Sequence, residues 1–139
     1  MIDFSIQDAK IIVNSETLHL SALKFICILY MDGPGFDTES MTGLVAGGAQ
    51  ICIFSTGRGN PIGHPCCPVV KVASNSNVFH AMPGDMDINA GEILEGKSLQ
   101  EVGEAIDSLI RAVANGQETA AEHNLQGGIL GIYTFSRSF

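Results

Sequence analysis

The stretch from Ile51 to Asn75, ICIFSTGRGNPIGHPCCPVVKVASN, most constrains what this chain can fold into. An apolar run, Ile51 to Phe54, gives way to Ser55-Thr56-Gly57-Arg58-Gly59-Asn60, and Pro61, Gly63, Pro65 and Pro68 keep the next residues out of regular structure. Val69 to Ala73 is a second apolar run, interrupted only by Lys71. The pattern reads as strand, long functional loop, strand.

Charge singles out the same stretch. The chain carries fifteen acidic and seven basic side chains, yet Arg58 and Lys71 are the only basic residues between Phe25 and Gly96. Isolated cations on an acidic chain point to a small anion as partner, since a nucleic acid needs a basic stripe. With 139 residues, 45% of them hydrophobic, the chain has the size and composition of one globular domain. The longest apolar run, Phe25 to Met31, is too short to span a bilayer and no signal peptide opens the chain, so the cytoplasm is the expected compartment. Cys27 and Cys52 fall inside expected buried strands, where a free thiol acts as a small hydrophobe, and no structural disulfide is expected.

In chain order, Met1 to Thr17 is weakly patterned around Ile11-Ile12-Val13, and residues 1–22 form an unassigned N-terminal lead-in. Leu23 to Met31 suits a strand buried on both faces. After a turn at Asp32-Gly33-Pro34-Gly35, Asp37 to Ser40 supplies helix-start residues, and Met41, Leu44 and Val45 form an apolar stripe. With Ile51 to Phe54 as the next strand, Leu23 to Phe54 reads as one βαβ unit with a parallel crossover. Asn75-Ser76-Asn77 can cap a short helix ended by Pro83-Gly84, and Met86 and Ile88 alternate as in a short strand. Ser98 and Glu101 have capping-box spacing ahead of a helix ended by Asn115-Gly116. Gln117 to Gln126 reads as a polar connection, and Ile129 to Phe135 as a last strand.

Gly57-x-Gly59-x-x-x-Gly63 is not a dinucleotide fingerprint: Gly63 comes one residue late and His64-Pro65 leads to a strand instead of a helix. No Walker lysine follows either, which disfavours NAD and ATP. The loop offers instead the Thr56 hydroxyl, backbone N–H groups freed by Gly57 and Gly59, and the Arg58 guanidinium, which can hold a carboxylate bidentately. Lys71, inside a strand, should snorkel or face a cleft; an ion pair of Arg58 or Lys71 with Asp85 or Asp87 is the plainer alternative. His64-Pro65-Cys66-Cys67 places His64 and Cys66 as candidate ligands for zinc or iron, a weak signal because adjacent cysteines cannot easily both reach one tetrahedral ion. Asp32 ends a strand on the edge where ligands of open α/β sheets gather, which makes it a candidate catalytic residue.

These residues together resemble the C-terminal part of the altronate/galactarate dehydratase family of sugar-acid lyases. The resemblance is carried by Met31-Asp32-Gly33-Pro34-Gly35-Phe36-Asp37, Thr42 to Gln50, Phe54 to Asn60, Pro68-Val69-Val70-Lys71 with Asn75, and Met86 to Gly91, in that order. It covers Leu23 to the C-terminus, so residues 23–139 are assigned to the domain. The fold this implies is α/β: a single domain with a largely parallel sheet, a βαβ crossover and a Rossmann-like three-layer arrangement.

The activity implied is loss of water from a hexarate or hexonate such as galactarate or altronate, giving a 2-keto-3-deoxy acid. Removing the proton beside a carboxylate builds up negative charge, which cations or a divalent metal must offset. The resemblance implies a divalent metal, Fe2+ first, with ligands in other domains, because family members carry a SAF-type domain and a central domain ahead of this region. It therefore implies a chain incomplete alone, which is either a piece of a longer protein, or completed by a partner chain that supplies those domains, or no longer a complete enzyme, with a surface open to homo-oligomer formation. Arg58, with Thr56, Gly57 and Gly59, would hold a substrate carboxylate; Lys71 would neutralise charge or act as base; Asn60, Asn75, Asp87 and Asn89 would bond sugar-acid hydroxyls. A sulfolactate substrate fits the same cation, and a non-catalytic small-anion-binding or assembly domain is the alternative from another class.

Overall fold

The computed structural model describes residues 10–13, 27–30, 33 and 35–131. Strands β1 (Lys10–Val13) and β2 (Cys27–Tyr30) pair in parallel, with Lys10 opposite Cys27. A separate three-stranded parallel sheet has the order β3 (Cys52–Thr56), β4 (Val69–Ala73), β5 (Ile88–Asn89). The result is a small mixed domain of helices and strands built on that sheet.

Among the described residues β2 therefore pairs with β1 and not with β3, which corrects the expected βαβ unit over Leu23 to Phe54. An apolar run shows that a strand is buried but not which neighbour it chooses. The crossover that does form lies further on, from β4 through helix α2 (Ser76–Ala81) to parallel β5. Asn75 starts α2 by accepting the Val78 N–H at 2.9 Å, the role its position predicts.

Central β4 is buried along its whole length, and its alternation divides the core in two. Val69 packs with Met41 of helix α1 (Asp37–Ala46), Cys52, Ile62 and Cys67. Val70 and Val72 face the other way, with Ile88 and with Ile106, Leu109 and Val113 of helix α3 (Leu99–Ala114). Two helices thus supply side chains to opposite faces of one sheet. The capping box of α3 forms as its sequence predicts, Ser98 and Glu101 each accepting the other's backbone N–H.

A fourth helix, α4 (Ala120–His123), replaces part of the expected polar connection. Thr119 and Glu122 form a second capping box there, and Ala121 packs inward. Residues 129–131 carry no strand, against the expected start of a last strand; residues 132–135 lie outside the described region, as do Asp32 and Pro34. Among the described residues no helix is long and apolar enough to cross a membrane.

Candidate functional site

In a parallel sheet every strand ends on the same edge, and here the register brings Thr56, Ala73 and Asn89 into one row across the three C-terminal ends. Gly57, Arg58, Gly59 and Asn75 come directly after that row. Half of the residues singled out from sequence, Thr56, Gly57, Arg58, Gly59, Asn75 and Asn89, thus meet at one edge of the sheet, where open α/β sheets place their ligands.

The edge is held rigid by its own polar side chains. Thr56 Oγ1 accepts the Gly59 N–H at 3.1 Å, and Asn75 Nδ2 donates to the Gly57 carbonyl at 3.0 Å, tying the loop after β3 to the loop after β4. Asn89 donates to Ser76 Oγ at 3.0 Å and accepts the Gly91 N–H at 3.0 Å, which locks β5 onto α2. Gly59 sits at φ +87°, a left-handed conformation that favours glycine, with the flexible Met82 side chain lying where a Cβ would point. Arg58 projects from this scaffold into solvent and has no ion-pair partner among the described residues.

Lys71 lies two residues below Ala73 on the same face of β4, roughly 7 Å down the strand. It neither snorkels nor lines an open cleft: it is 0% exposed and its Nζ has no hydrogen-bond partner among the described residues. The ammonium instead stands 4.3 Å from the centroid of the Phe54 ring, its cross-strand neighbour. Burial pulls its pKa down from 10.5 to about 8, against the attraction of Asp37 and Asp87. The expected ion pairs with Asp85 or Asp87 do not form among the described residues.

Asp87 has a different task. One carboxylate oxygen accepts the Lys71 backbone N–H at 2.7 Å and the other the Ala120 N–H at 2.8 Å, so it joins β4 to the first turn of α4. Asn60 turns away from the Thr56 row as well, donating to Asp37 Oδ2 at 2.5 Å while its own oxygen accepts the Ile62 N–H. Asp37 and Asn60 border a cleft of about 690 Å³ at the N-terminus of α1, which Thr38, Ile62, Gln126 and Ile129 also line. Asp37 was legible only as a helix-start residue; its link to Asn60, 23 positions away, has no local sequence signal.

His64 and Cys66 sit apart from these groups. His64 bridges to Cys67, just before β4 begins, and so belongs to the opposite edge of the sheet. It lines a second cleft of about 510 Å³ with Cys66, Glu122, Leu125 and Gly127. Its Nδ1 accepts the Cys66 N–H at 3.2 Å, which in a neutral imidazole leaves the proton on Nε2, a buried donor without a partner among the described residues. That tautomer suits a hydrogen bond and not a metal–Nε2 bond. Among the described residues no three His, Cys, Asp or Glu side chains gather where a metal ion could sit. The described residues therefore do not make a metal site by themselves. Cys52 and Cys67 are free buried thiols 3.7 Å apart; burial first, then the hydrogen bond to Cys52, pushes Cys67 up to about 12, while Cys66 is free and exposed.

A family model described as D-galactarate/altronate dehydratase, C-terminal, matches residues 14–134. The chain belongs to this family. Altronate dehydratase of Escherichia coli (strain K12) is 34% identical over 94 residues, covering 68% of this chain and 19% of that protein. Altronate dehydratase of Bacillus subtilis (strain 168) is 38% identical over 104 residues, 73% of this chain and 20% of that one. The (2R)-sulfolactate sulfo-lyase subunit beta of Chromohalobacter salexigens is 33% identical over 94 residues, 67% of this chain and 24% of the subunit. The chain thus spans about a fifth to a quarter of the length of these dehydratase-family relatives.

Proposed function

We propose that this chain forms one wall of the active site of a sugar-acid hydro-lyase acting on a hexarate or hexonate such as galactarate or altronate. The observation that carries this reading is Lys71: a fully buried amine that has no hydrogen-bond partner among the described residues, one pleat below a row of loop ends that presents Arg58, itself without an ion-pair partner among them. A lysine is placed in such surroundings at a cost in stability, and a lowered pKa is what a basic amine needs near neutral pH.

In the proposed reaction the Arg58 guanidinium holds the substrate carboxylate, with backbone N–H groups of the Gly57–Asn60 loop beside it. Neutral Lys71 takes the α-proton: the C–H bond breaks, its electron pair enters the enediolate, and the ammonium left on Nζ offsets the new charge. The C–O bond of the β-hydroxyl then breaks with its electron pair going to oxygen, which takes a proton from the Lys71 ammonium and leaves as water, and the resulting enol tautomerises to the 2-keto-3-deoxy acid. Because Lys71 is covered, the Thr56–Asn60 loop or the Phe54 ring must shift before substrate reaches it. Asp32 lies outside the described residues and is assigned no step. Completion of the site by another polypeptide or further domains is part of the same proposal, and so is a Rossmann-like three-layer fold, which the helices on opposite faces of the sheet support.

The test is an NMR titration of the chain with galactarate, altronate and sulfolactate. The reading expects millimolar sugar acid to move the amide resonances of Thr56 to Asn60 and expects Arg58→Ala to abolish the response. Equal response to every small anion would favour a non-catalytic anion-binding domain, and no response at these amides would refute the carboxylate role of Arg58.

A further inference from the structure

We infer that Asn75 and Thr56 are the positioning residues of Arg58, each holding one of the two peptide units that flank it. The inference rests on the reading of Arg58 as the carboxylate grip and adds two residues to it. The Gly57 carbonyl belongs to the peptide unit before Arg58, and the Gly59 N–H to the unit after it. Asn75 Nδ2 donates to the first at 3.0 Å, and Thr56 Oγ1 accepts the second at 3.1 Å. Both peptide planes are held, and with them the backbone angles at Arg58 from which its side chain sets out. The sequence makes these clamps necessary, because a residue between two glycines has unusual backbone freedom to lose.

Asn75 is itself held from behind. Its Oδ1 accepts the Val78 N–H at 2.9 Å at the start of α2. Gly91 backs directly onto it, so closely that a Cβ there would lie 2.6 Å from Asn75 Cα. Asn89 donates to Oγ of the neighbouring Ser76 at 3.0 Å. On the side of β3, the Ser74 N–H donates to the Thr56 carbonyl at 3.0 Å, which carries the β3–β4 ladder up to the loop. The Arg58 loop follows β3 but takes its position from β4, α2 and β5 as well.

The consequence concerns binding. Asn75 spends its oxygen and one N–H inside the protein, so its contribution to the reaction runs through Arg58. A guanidinium grips a carboxylate through two parallel N–H···O bonds only when it arrives at a defined angle, and that angle begins at the backbone. Clamps already closed in the free chain spare the substrate the cost of ordering the loop.

The experiment compares Asn75→Ser with Asn75→Ala in the chain. Serine keeps an oxygen for the start of α2 but is too short to reach the Gly57 carbonyl, whereas alanine loses both bonds. Loop order is read from 15N relaxation of the Arg58 and Gly59 amides, and the grip from a galactarate titration of the same amides. Asn75→Ser should lower the order parameters of both amides, leave hydrogen-exchange protection at Val78 as in wild type, and weaken galactarate binding about 10-fold. Thr56→Val should do the same from the other side, and Thr56→Ser should restore both loop order and affinity. If Asn75 serves only to start α2, Asn75→Ala will lower the unfolding midpoint and Asn75→Ser will restore it, with loop order and affinity at wild-type values in both, which overturns the inference. A loosened loop with unchanged affinity overturns it as well. Should Asn75→Ser not fold, unchanged loop order and affinity in Thr56→Val overturn it equally. A wild-type chain that does not respond to galactarate refutes the grip of Arg58 instead, and loop order in Asn75→Ser then still decides whether Asn75 holds that loop.

Discussion

Replacing Asp87 by Asn changes one oxygen into an NH2 group at the point where two backbone N–H groups converge. The carboxylate accepts from Lys71 N at 2.7 Å and from Ala120 N at 2.8 Å, and an amide can accept only one of these. The other N–H then faces a second donor. Losing one charge-assisted bond and stranding a partly buried donor each cost on the order of 1.5 kcal/mol, and the weakened acceptor adds a fraction more, so Asp87→Asn should destabilise the chain by about 3 kcal/mol. For a chain of this size that lowers the melting temperature by roughly 10 °C. Urea unfolding followed by circular dichroism gives the free energy, and hydrogen exchange shows where it acts: the amides of Lys71 and Ala120 should lose protection ahead of those in α3. A loss below about 0.5 kcal/mol, or protection unchanged at both amides, would show that the two bonds do not fasten α4 to β4.

Glycine at 91 is required by space, since a Cβ there would lie 2.1 Å from the Ser76 backbone nitrogen; Gly91→Ala should cost about 3 kcal/mol in urea unfolding and separate β5 from α2. Lys71 is charged in the unfolded chain up to about pH 10.5 but in the fold only up to about 8, so the unfolded state binds more protons between those values and stability rises with pH across that window. Lys71→Met should therefore be more stable than wild type by roughly 3 kcal/mol at pH 7, a difference that shrinks between pH 8 and 10.5; equal stability at pH 7 would contradict the burial of a charge. Iodoacetamide at neutral pH, with labelled sites located by mass spectrometry, should mark exposed Cys66 and spare Cys52 and Cys67 until the chain is unfolded.

Local chemistry made part of this fold legible. The Ser98–Glu101 box, the Asn75 cap and the Ile51–Ala73 pairing of strand, loop and strand depend on residues close together in sequence, and each forms as expected. Helix α4 was legible in principle, because Thr119 and Glu122 have capping-box spacing, but four residues amid polar neighbours give no apolar period to support it. The partner of β2 was not legible, since pairing is a choice between distant segments. The same division holds at the site. Thr56, Gly57, Arg58, Gly59, Asn75 and Asn89 meet because parallel strands end together, a rule of topology that applies once the strands are found. That Asn60 reaches α1 and that His64 belongs to the other edge depend on the path of a long loop, which carries no periodic signal, and that Asp87 holds backbone depends on Ala120, 33 positions away.

The most direct test of the account is a rate. The residues of Bacillus subtilis altronate dehydratase that align with this chain can be exchanged for it, and formation of 2-keto-3-deoxy acid from altronate and galactarate followed in the presence of ferrous iron. The account predicts turnover by the chimera, a fall of at least about 100-fold in kcat for Lys71→Met, and a raised KM for Arg58→Ala. A Lys71→Met chimera that turns over at the parent rate would contradict the central claim that the buried amine performs the proton transfer.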